Sequence, residues 1–337
     1  MRCYSRVDSY ADPHMLKYIF RRLISYIPLL IGITLISFLI MRLSPGGPEL
    51  MSGFGSADSD PAVREKIVRI YGLDRPLHEQ YLKWLGNIAR FDFGVSFQDG
   101  RSVSKKILER LPATILLNVC SIALIFLIAV PAGVYSAAKS GSFFDRAVTV
   151  FVFAGFSIPA YWLALILMDF FGVKMGILPI SGLVSFGWDD FGFARKIADV
   201  SWHLVLPVFI SAFTGLASLS RYVRAEMKDV LSMDFITAAR SRGVSERDVI
   251  WKHAFRNALL PLATLIGLML PAIIGGGVIF ETIFSWPGVG RLMYQAVMAR
   301  DYPLIMGNGV IVAALTLGGN FIADISYAYI DPRIRYK

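Results

Sequence analysis

Few residues in this 337-residue chain have the types or spacing that covalent chemistry needs. A phosphate-binding loop requires Gly-x-x-x-x-Gly-Lys-Ser/Thr, so that backbone amides can cradle the phosphates. The nearest approach runs from Gly133 to Ser140, with Ala138 at the second glycine, and no Gly-Lys pair occurs anywhere. Any ATP chemistry must therefore come from a partner. The two cysteines, Cys3 and Cys120, suggest neither pairing nor a metal spacing. His203 has no second ligand near it. No paired carboxylates, Ser-Lys dyad or His-rich spacing falls in the apolar stretches, which argues against an intramembrane enzyme. The chain reads as no enzyme, with no cofactor and no metal of its own.

What remains is a handful of polar groups in apolar surroundings, where ionisable residues are expensive and often functional. Glu281 stands just before the run Phe284-Ser285-Trp286-Pro287-Gly288-Val289-Gly290. The Trp-Pro-Gly-x-Gly pattern reads as a tight re-entrant turn able to gate the outer side. The alternative is a charge reaching back to the interface beside an aromatic belt. Asp169 could line a path and meet an ammonium group, or reach the outer interface. Asp324, Asn320 and Asn308 read as hydrogen-bonding glue between helices. Gly275-Gly276-Gly277 allows close helix approach or bending, and Gly276 is a candidate pore-lining position.

These groups need a frame, and composition supplies it. The chain is 55% hydrophobic and 18% charged, with mean hydropathy +0.57, where soluble domains carry about 25% charged residues. That balance indicates a polytopic membrane protein. The net charge of +9 suits basic loops on the cytoplasmic side rather than nucleic acid, since no basic stripe with interleaved aromatics is present. A span needs about 20 mostly apolar residues. Six stretches qualify, at 20–43, 113–137, 147–173, 202–220, 258–283 and 304–330. Pro28, Pro131, Pro159, Pro207 and Pro271 fall in or near them and suggest kinks. With the N-terminus inside, the cytoplasmic pieces hold eighteen Lys and Arg, against five in the two short external loops. Both termini are then cytoplasmic. Residues 1–14 read as an extension before Met15, with translation starting at either Met1 or Met15. The first helix (15–43) reads as retained rather than as a cleaved signal.

The external loop, 44–112, reads as a helical cap. Asp60-Pro61 opens one helix, closed by Gly72. Pro76 opens a second, with Leu77, Tyr81, Trp84, Leu85 and Ile88 on one side. Ser102 caps a third, with Val103, Ile107 and Leu111 inward. The five remaining spans form a core over 113–330, and 331–337 is a cytoplasmic tail.

One polar stretch is unlike a passive loop. Residues 221–261 carry eight Lys or Arg and five Asp or Glu between apolar spans. Within 221–257, Asp234 precedes a helical stretch from Phe235 to Arg242, with small Ala238 and Ala239 in the middle and Gly243 as its stop. A second helix opens at Ser245, with Glu246 and Asp248 in its first turn. A helix, a glycine break and a helix returning to the membrane make a surface to be held by a partner. A plain topology-setting loop would need no such order.

The pattern Thr237-Ala238-Ala239-x-x-x-Gly243, followed by Asn257-Ala258-x-Leu260-Pro261, resembles the cytoplasmic coupling loop of ABC importer permeases. That loop usually begins with Glu where this chain has Thr237, and the stretch from glycine to Leu-Pro is longer than in the sugar branch. Both departures resemble the dipeptide, oligopeptide and nickel branch. Further matches run from Met15 onward: Arg21-Arg22-Leu23, Pro45-Gly46-Gly47-Pro48, YGLDRPLHEQYL at 71–82, Asp92-Phe93-Gly94, ETIFSWPGVGRL at 281–292, RDYP at 300–303, and Asp331-Pro332-Arg333. The resemblance implies a six-helix permease in a bacterial plasma (inner) membrane, paired with a second, related permease. It implies two ATPase subunits that bind ATP and Mg, and an extracytoplasmic protein that delivers di- or oligopeptides. Asp234, Phe235, Thr237, Ala238, Ala239, Arg240, Arg242 and Gly243 would then couple to an ATPase. Glu281, Trp286, Pro287, Gly288, Gly276 and Asp169 would be gate or path candidates. Nickel, modified-peptide or glycoconjugate cargo is the alternative, and a self-contained secondary transporter is the rival class.

Overall fold

The computed structural model describes residues 13–43 and 74–330. The expected helix after Asp60-Pro61, residues 1–12 and the tail at 331–337 lie outside the described residues. Within them the chain is helical, with one isolated bridge, Val95 to Ser102. The elements in order are α1 (Pro13–Leu43), α2 (Leu77–Ile88), α3 (Val103–Ala138), α4 (Phe143–Ser157), α5 (Ala160–Leu167) and a π-helical turn (Met168–Lys174). Then come α6 (Phe193–Leu231), α7 (Asp234–Ser241), a short turn (Glu246–Asp248) and a π stretch (Val249–Ala254) that leads into α8 (Phe255–Gly275). The chain continues with α9 (Val278–Ile283), α10 (Val289–Met298) and α11 (Tyr302–Ile330).

Among the described residues, four helical stretches are long and apolar enough to cross a bilayer: Ile19–Ile40, Val103–Ala138, Phe193–Leu231 and Tyr302–Ile322. Phe143–Ser157 and Ala160–Lys174 together make a fifth, bent by 101°. The single third helix expected over 147–173 is thus a broken one. Pro159 is the cause, because it drives the preceding Ile158 to extended φ −89°, ψ 119°.

Two other boundaries differ from expectation. The third cap helix and the second span are one 36-residue helix, α3, which runs through Pro112 and Pro131. Ser102 stands at its N-cap position, but its side chain makes no capping bond. Proline's fixed φ is already helical, so a well-packed helix can absorb it. The helix that carries the expected span at 202–220 is also longer than that span, because α6 runs from Phe193 to Leu231. Its first cation past Arg221, Arg224, is neutralised in place: Nε donates to Asp145 Oδ1 at 2.7 Å and Nη2 to Oδ2 at 3.0 Å. A charge so paired gives the helix no reason to end.

The core is built on the α3–α6 pair. Ile125, Leu216, Leu219, Val223, Met227 and Val230 are buried together there. Glycines set the approach. A Cβ on Gly133 would lie 2.7 Å from Val223 Cβ and 2.8 Å from the Ser220 carbonyl, and one on Gly155 would lie 2.5 Å from Ala217 Cβ. Small residues at crossings are the usual means of bringing membrane helices close. At one edge, Asp324 of α11 takes bonds from Arg22 Nε (2.5 Å) and Tyr26 OH (2.8 Å) of α1. The α2 cap rests on α1 through Phe38, Tyr81 and Trp84, whose rings lie 5.5 to 6.3 Å apart.

Candidate functional site

The polar segment after α6 folds as a rigid bracket. Asp234 stands in the first turn of α7, where the dipole favours it. Ile236 (0% exposed) and Ala239 face inward onto Met227, Val230, Val249 and Ala254. The opposite side leaves Met233, Phe235, Thr237, Arg240 and Arg242 exposed, with Ala238 half-buried. The helix ends at Gly243, whose φ of +77° strains any side-chain-bearing residue. Its amide donates to the Arg240 carbonyl at 2.9 Å. Ser245 then caps the next turn, its Oγ accepting from the Asp248 amide at 3.3 Å. Across the glycine, Arg240 reaches Glu246 with two bonds, Nε to Oε2 at 3.1 Å and Nη2 to Oε1 at 2.7 Å. That guanidinium holds the Glu246 carboxyl below its ordinary range. Asp248 is lowered in the same way, first by Lys252 and then by Ser245. Beside the bracket, Tyr135, Arg247, Trp251 and Lys252 help line a cavity of about 910 Å³.

A second constellation forms at the other end of α6. Glu281 is fully buried. Its Oε1 accepts from Thr114 Oγ1 (2.9 Å) and its Oε2 from the Arg291 amide (2.9 Å). Thr114 in turn accepts from the Val289 amide at 2.8 Å. Trp286 is buried too, with Nε1 donating to the Ala113 carbonyl at 2.8 Å. One carboxyl thus ties α3, α9, the 284–288 turn and the N-terminus of α10 together, in the capping position that suits it electrostatically. The Glu281 side chain is enclosed by protein on every side.

The glycines here serve geometry. The expected fifth span, 258–283, breaks at Gly276, whose φ is +66° and whose Cβ would meet the Gly290 amide nitrogen at 2.9 Å. A Cβ on Gly288 would strike the Glu281 carboxyl itself. The carbonyls of Ala272 and Ile273, just before the break, are taken by Asn118 Nδ2 at 3.1 and 3.0 Å. Glu281, Gly276, Trp286 and Gly288 therefore meet in one knot, with Pro287 in its turn. Asp169 takes no part in it. That residue lies in the π turn, half exposed, paired with Lys174 at 2.6 Å. Sequence reasoning missed Thr114, Asn118 and Arg291, which no local pattern marks. Among the described residues no group of three His, Cys, Asp or Glu is placed to hold a metal.

Bilayer-length apolar helices, broken by prolines and glycines and knit by buried polar groups, define a multi-pass membrane protein of transport type. The chain belongs to the family described as binding-protein-dependent transport system inner membrane component, which matches residues 129–336. The N-terminal region of such membrane components matches residues 15–118. This is a permease family, not a family of catalysts. Among its relatives, the oligopeptide transport system permease protein AppB of Bacillus subtilis is 44% identical over 96% of this chain and 100% of its own length. The di/tripeptide transport system permease protein DppB of Pseudomonas aeruginosa is 37% identical with the same coverage. The dipeptide transport system permease protein DppB of Escherichia coli K12 is 34% identical, again over 96% and 100%.

Proposed function

We propose that this chain is one transmembrane subunit of an ATP-driven importer of di- and oligopeptides in a bacterial inner membrane. In this reading it crosses the bilayer six times, with α8 as the fifth crossing and α11 as the sixth, and both termini are cytoplasmic. A helical cap between the first two spans lies outside. A second, related permease completes the pathway, two ATPase subunits supply ATP and Mg chemistry, and an extracytoplasmic binding protein delivers peptide. The relatives described above are named as peptide permeases, which supports the cargo.

The observation that carries the coupling role is the two-sidedness of α7. Ile236 and Ala239 fix it to the ends of α6 and α8, while Phe235 and Met233 stay exposed at 41% and 48%. An apolar face on a polar bracket, backed by a rigid core, suits a handle seated in an ATPase cleft. ATP-driven closure of the ATPases then moves the handle and biases the spans between inward-open and outward-open states. Asp234, Thr237, Ala238, Arg240 and Arg242 form the gripping surface, and Gly243 fixes its angle.

The test is Ala238→Trp in the assembled complex. ATP hydrolysis persists but no longer drives uptake of labelled trialanine. Uptake at the wild-type rate refutes the coupling role. A tagged chain that purifies without any nucleotide-hydrolysing companion, and moves solute on an ion gradient alone, refutes the importer.

A further inference from the structure

A small polar cavity lies beside the Glu281 knot. It has a volume of about 110 Å³ and is lined by Arg110, Gly288, Arg291, Leu292 and Gln295. Positions 288, 291, 292 and 295 follow the i, i+3, i+4, i+7 rule, so one face of α10 forms a wall. Arg110 comes from α3, one turn before Thr114, which is itself bonded to the α10 N-terminus through the Val289 amide. Leu292 is buried against Val103 and Ile107 and closes the floor.

The charge balance is uneven. Two guanidinium groups line the cavity and no acid does. Arg291 spends Nη1 on the Ser285 carbonyl, which leaves its other donors unassigned. Arg110 is exposed and has no hydrogen-bond or ion-pair partner among the described residues. The buried acid Glu281 lies behind Gly288 and is already held by Thr114 and the Arg291 amide. The Gln295 side chain adds a neutral donor. Two arginines beside a helix N-terminus are a strong arrangement for a planar anion, because guanidinium bonds carboxylate in pairs. The volume is well below that of a pocket that encloses a whole small molecule, about 300 Å³ or more. It takes an acid group at the end of something larger.

We infer that Arg110, Arg291 and Gln295 form a carboxylate-binding site on this subunit. The inference rests on the importer reading for which molecule brings the carboxylate. Two sources share the chemistry: the C-terminal carboxylate of a peptide in transit, and an Asp or Glu side chain of the delivering binding protein. Both present the same flat, two-oxygen anion to the same fork of donors.

The test uses the complete complex, with Arg110→Gln as the main variant. Arg110 holds nothing else among the described residues, so the substitution is expected to leave assembly intact. Arg291→Lys is the second variant, because it retains a cation and a donor near the Ser285 carbonyl. The first readout needs no transport: labelling of Arg110 by phenylglyoxal, mapped by mass spectrometry of the wild-type complex. Protection by trialanine, but not by trialanine amide, identifies the peptide source. Protection by the binding protein, lost when its acidic surface residues are neutralised, identifies the protein source. In the first case Arg110→Gln abolishes the preference of uptake for trialanine over its amide. In the second it raises the binding-protein concentration for half-maximal ATPase stimulation, for acid and amide peptide alike. Either effect is expected at roughly tenfold or more, the usual worth of a charge-assisted bond. Arg110 labelling unaffected by every carboxylate, with both variants at wild-type values in both assays, overturns the site. A wild-type complex that labels and protects normally but imports no peptide leaves the site standing and removes the importer reading instead.

Discussion

Glu281→Ala is the most informative single change. The wild-type carboxyl is fully buried and accepts from Thr114 Oγ1 and the Arg291 amide. Truncation leaves both donors without that acceptor. Each buried orphan costs about 1–3 kcal/mol, but the adjoining 110 Å³ cavity lets water in and recovers part of it. The net cost is about 3–5 kcal/mol, the range for breaking a buried charged contact. Glu281→Gln preserves volume and one acceptor oxygen, and it lets Thr114 turn its hydroxyl, so it costs about 1–2 kcal/mol. The assay is the thermal midpoint of the purified complex by fluorescence-detected size exclusion, with protease cleavage near 284–288 as a local probe. The expected order is wild type, then Gln, then Ala, with cleavage appearing first in the Ala variant. An Ala variant as stable and as protected as wild type would show that the carboxyl does not tie the turn together. A Gln variant as damaged as Ala would show that charge, not the acceptor geometry, decides.

Two further outcomes follow from packing and electrostatics. Gly133→Ala puts a methyl against Val223 and the Ser220 carbonyl and should cost about 1–3 kcal/mol. Gly318→Ala, in open space on α11, should be neutral or stabilising by about 0.5–1 kcal/mol; equal effects in a thermal scan would contradict the α3–α6 crossing. The Arg240–Glu246 pair lowers the Glu246 carboxyl from its ordinary 4.5. Its stabilisation is therefore present above that value and lost as pH falls through the lowered one. Both partners are well exposed, at 43% and 58%, so the pair is worth only about 0.2–1 kcal/mol. The stability gap between wild type and Glu246→Gln should close on acidification, and a gap that widens instead would reverse the sign.

The segment 233–248 was readable from the chain because its signals are local. An acid in the first turn, a glycine that must be left-handed and a serine cap each act within a few residues. The apolar stretches were readable by length, but their breaks were only half so. Pro159 signalled a kink, not a 101° turn, and the glycine triplet did not reveal which residue takes the positive φ. The continuation of α6 past 220 was not legible, because Arg224 finds its partner, Asp145, far back in the chain. Glu281 was recognisable as unusual, yet its role depends on Thr114 and the Arg291 amide. No single-chain pattern joins those, since the tertiary fold alone brings α3 against α10. Asp169 was judged by depth along a straight span, and the span is not straight.

The length of α6 has a mechanical meaning. Thirty-nine residues at 1.5 Å each make a rod of about 58 Å, nearly twice the hydrocarbon thickness of about 30 Å. One tip carries Ile236's seat, and near the other, Leu204 packs on Trp286. With no glycine or proline break between Gly215 and Leu231, a torque applied at the handle is not absorbed by a hinge along that half. A tilt of about 5° over the full rod sweeps its far tip by about 5 Å, about the diameter of an extended backbone. On the proposed coupling role, a modest angular input at one end of this helix becomes a displacement of backbone width at the other.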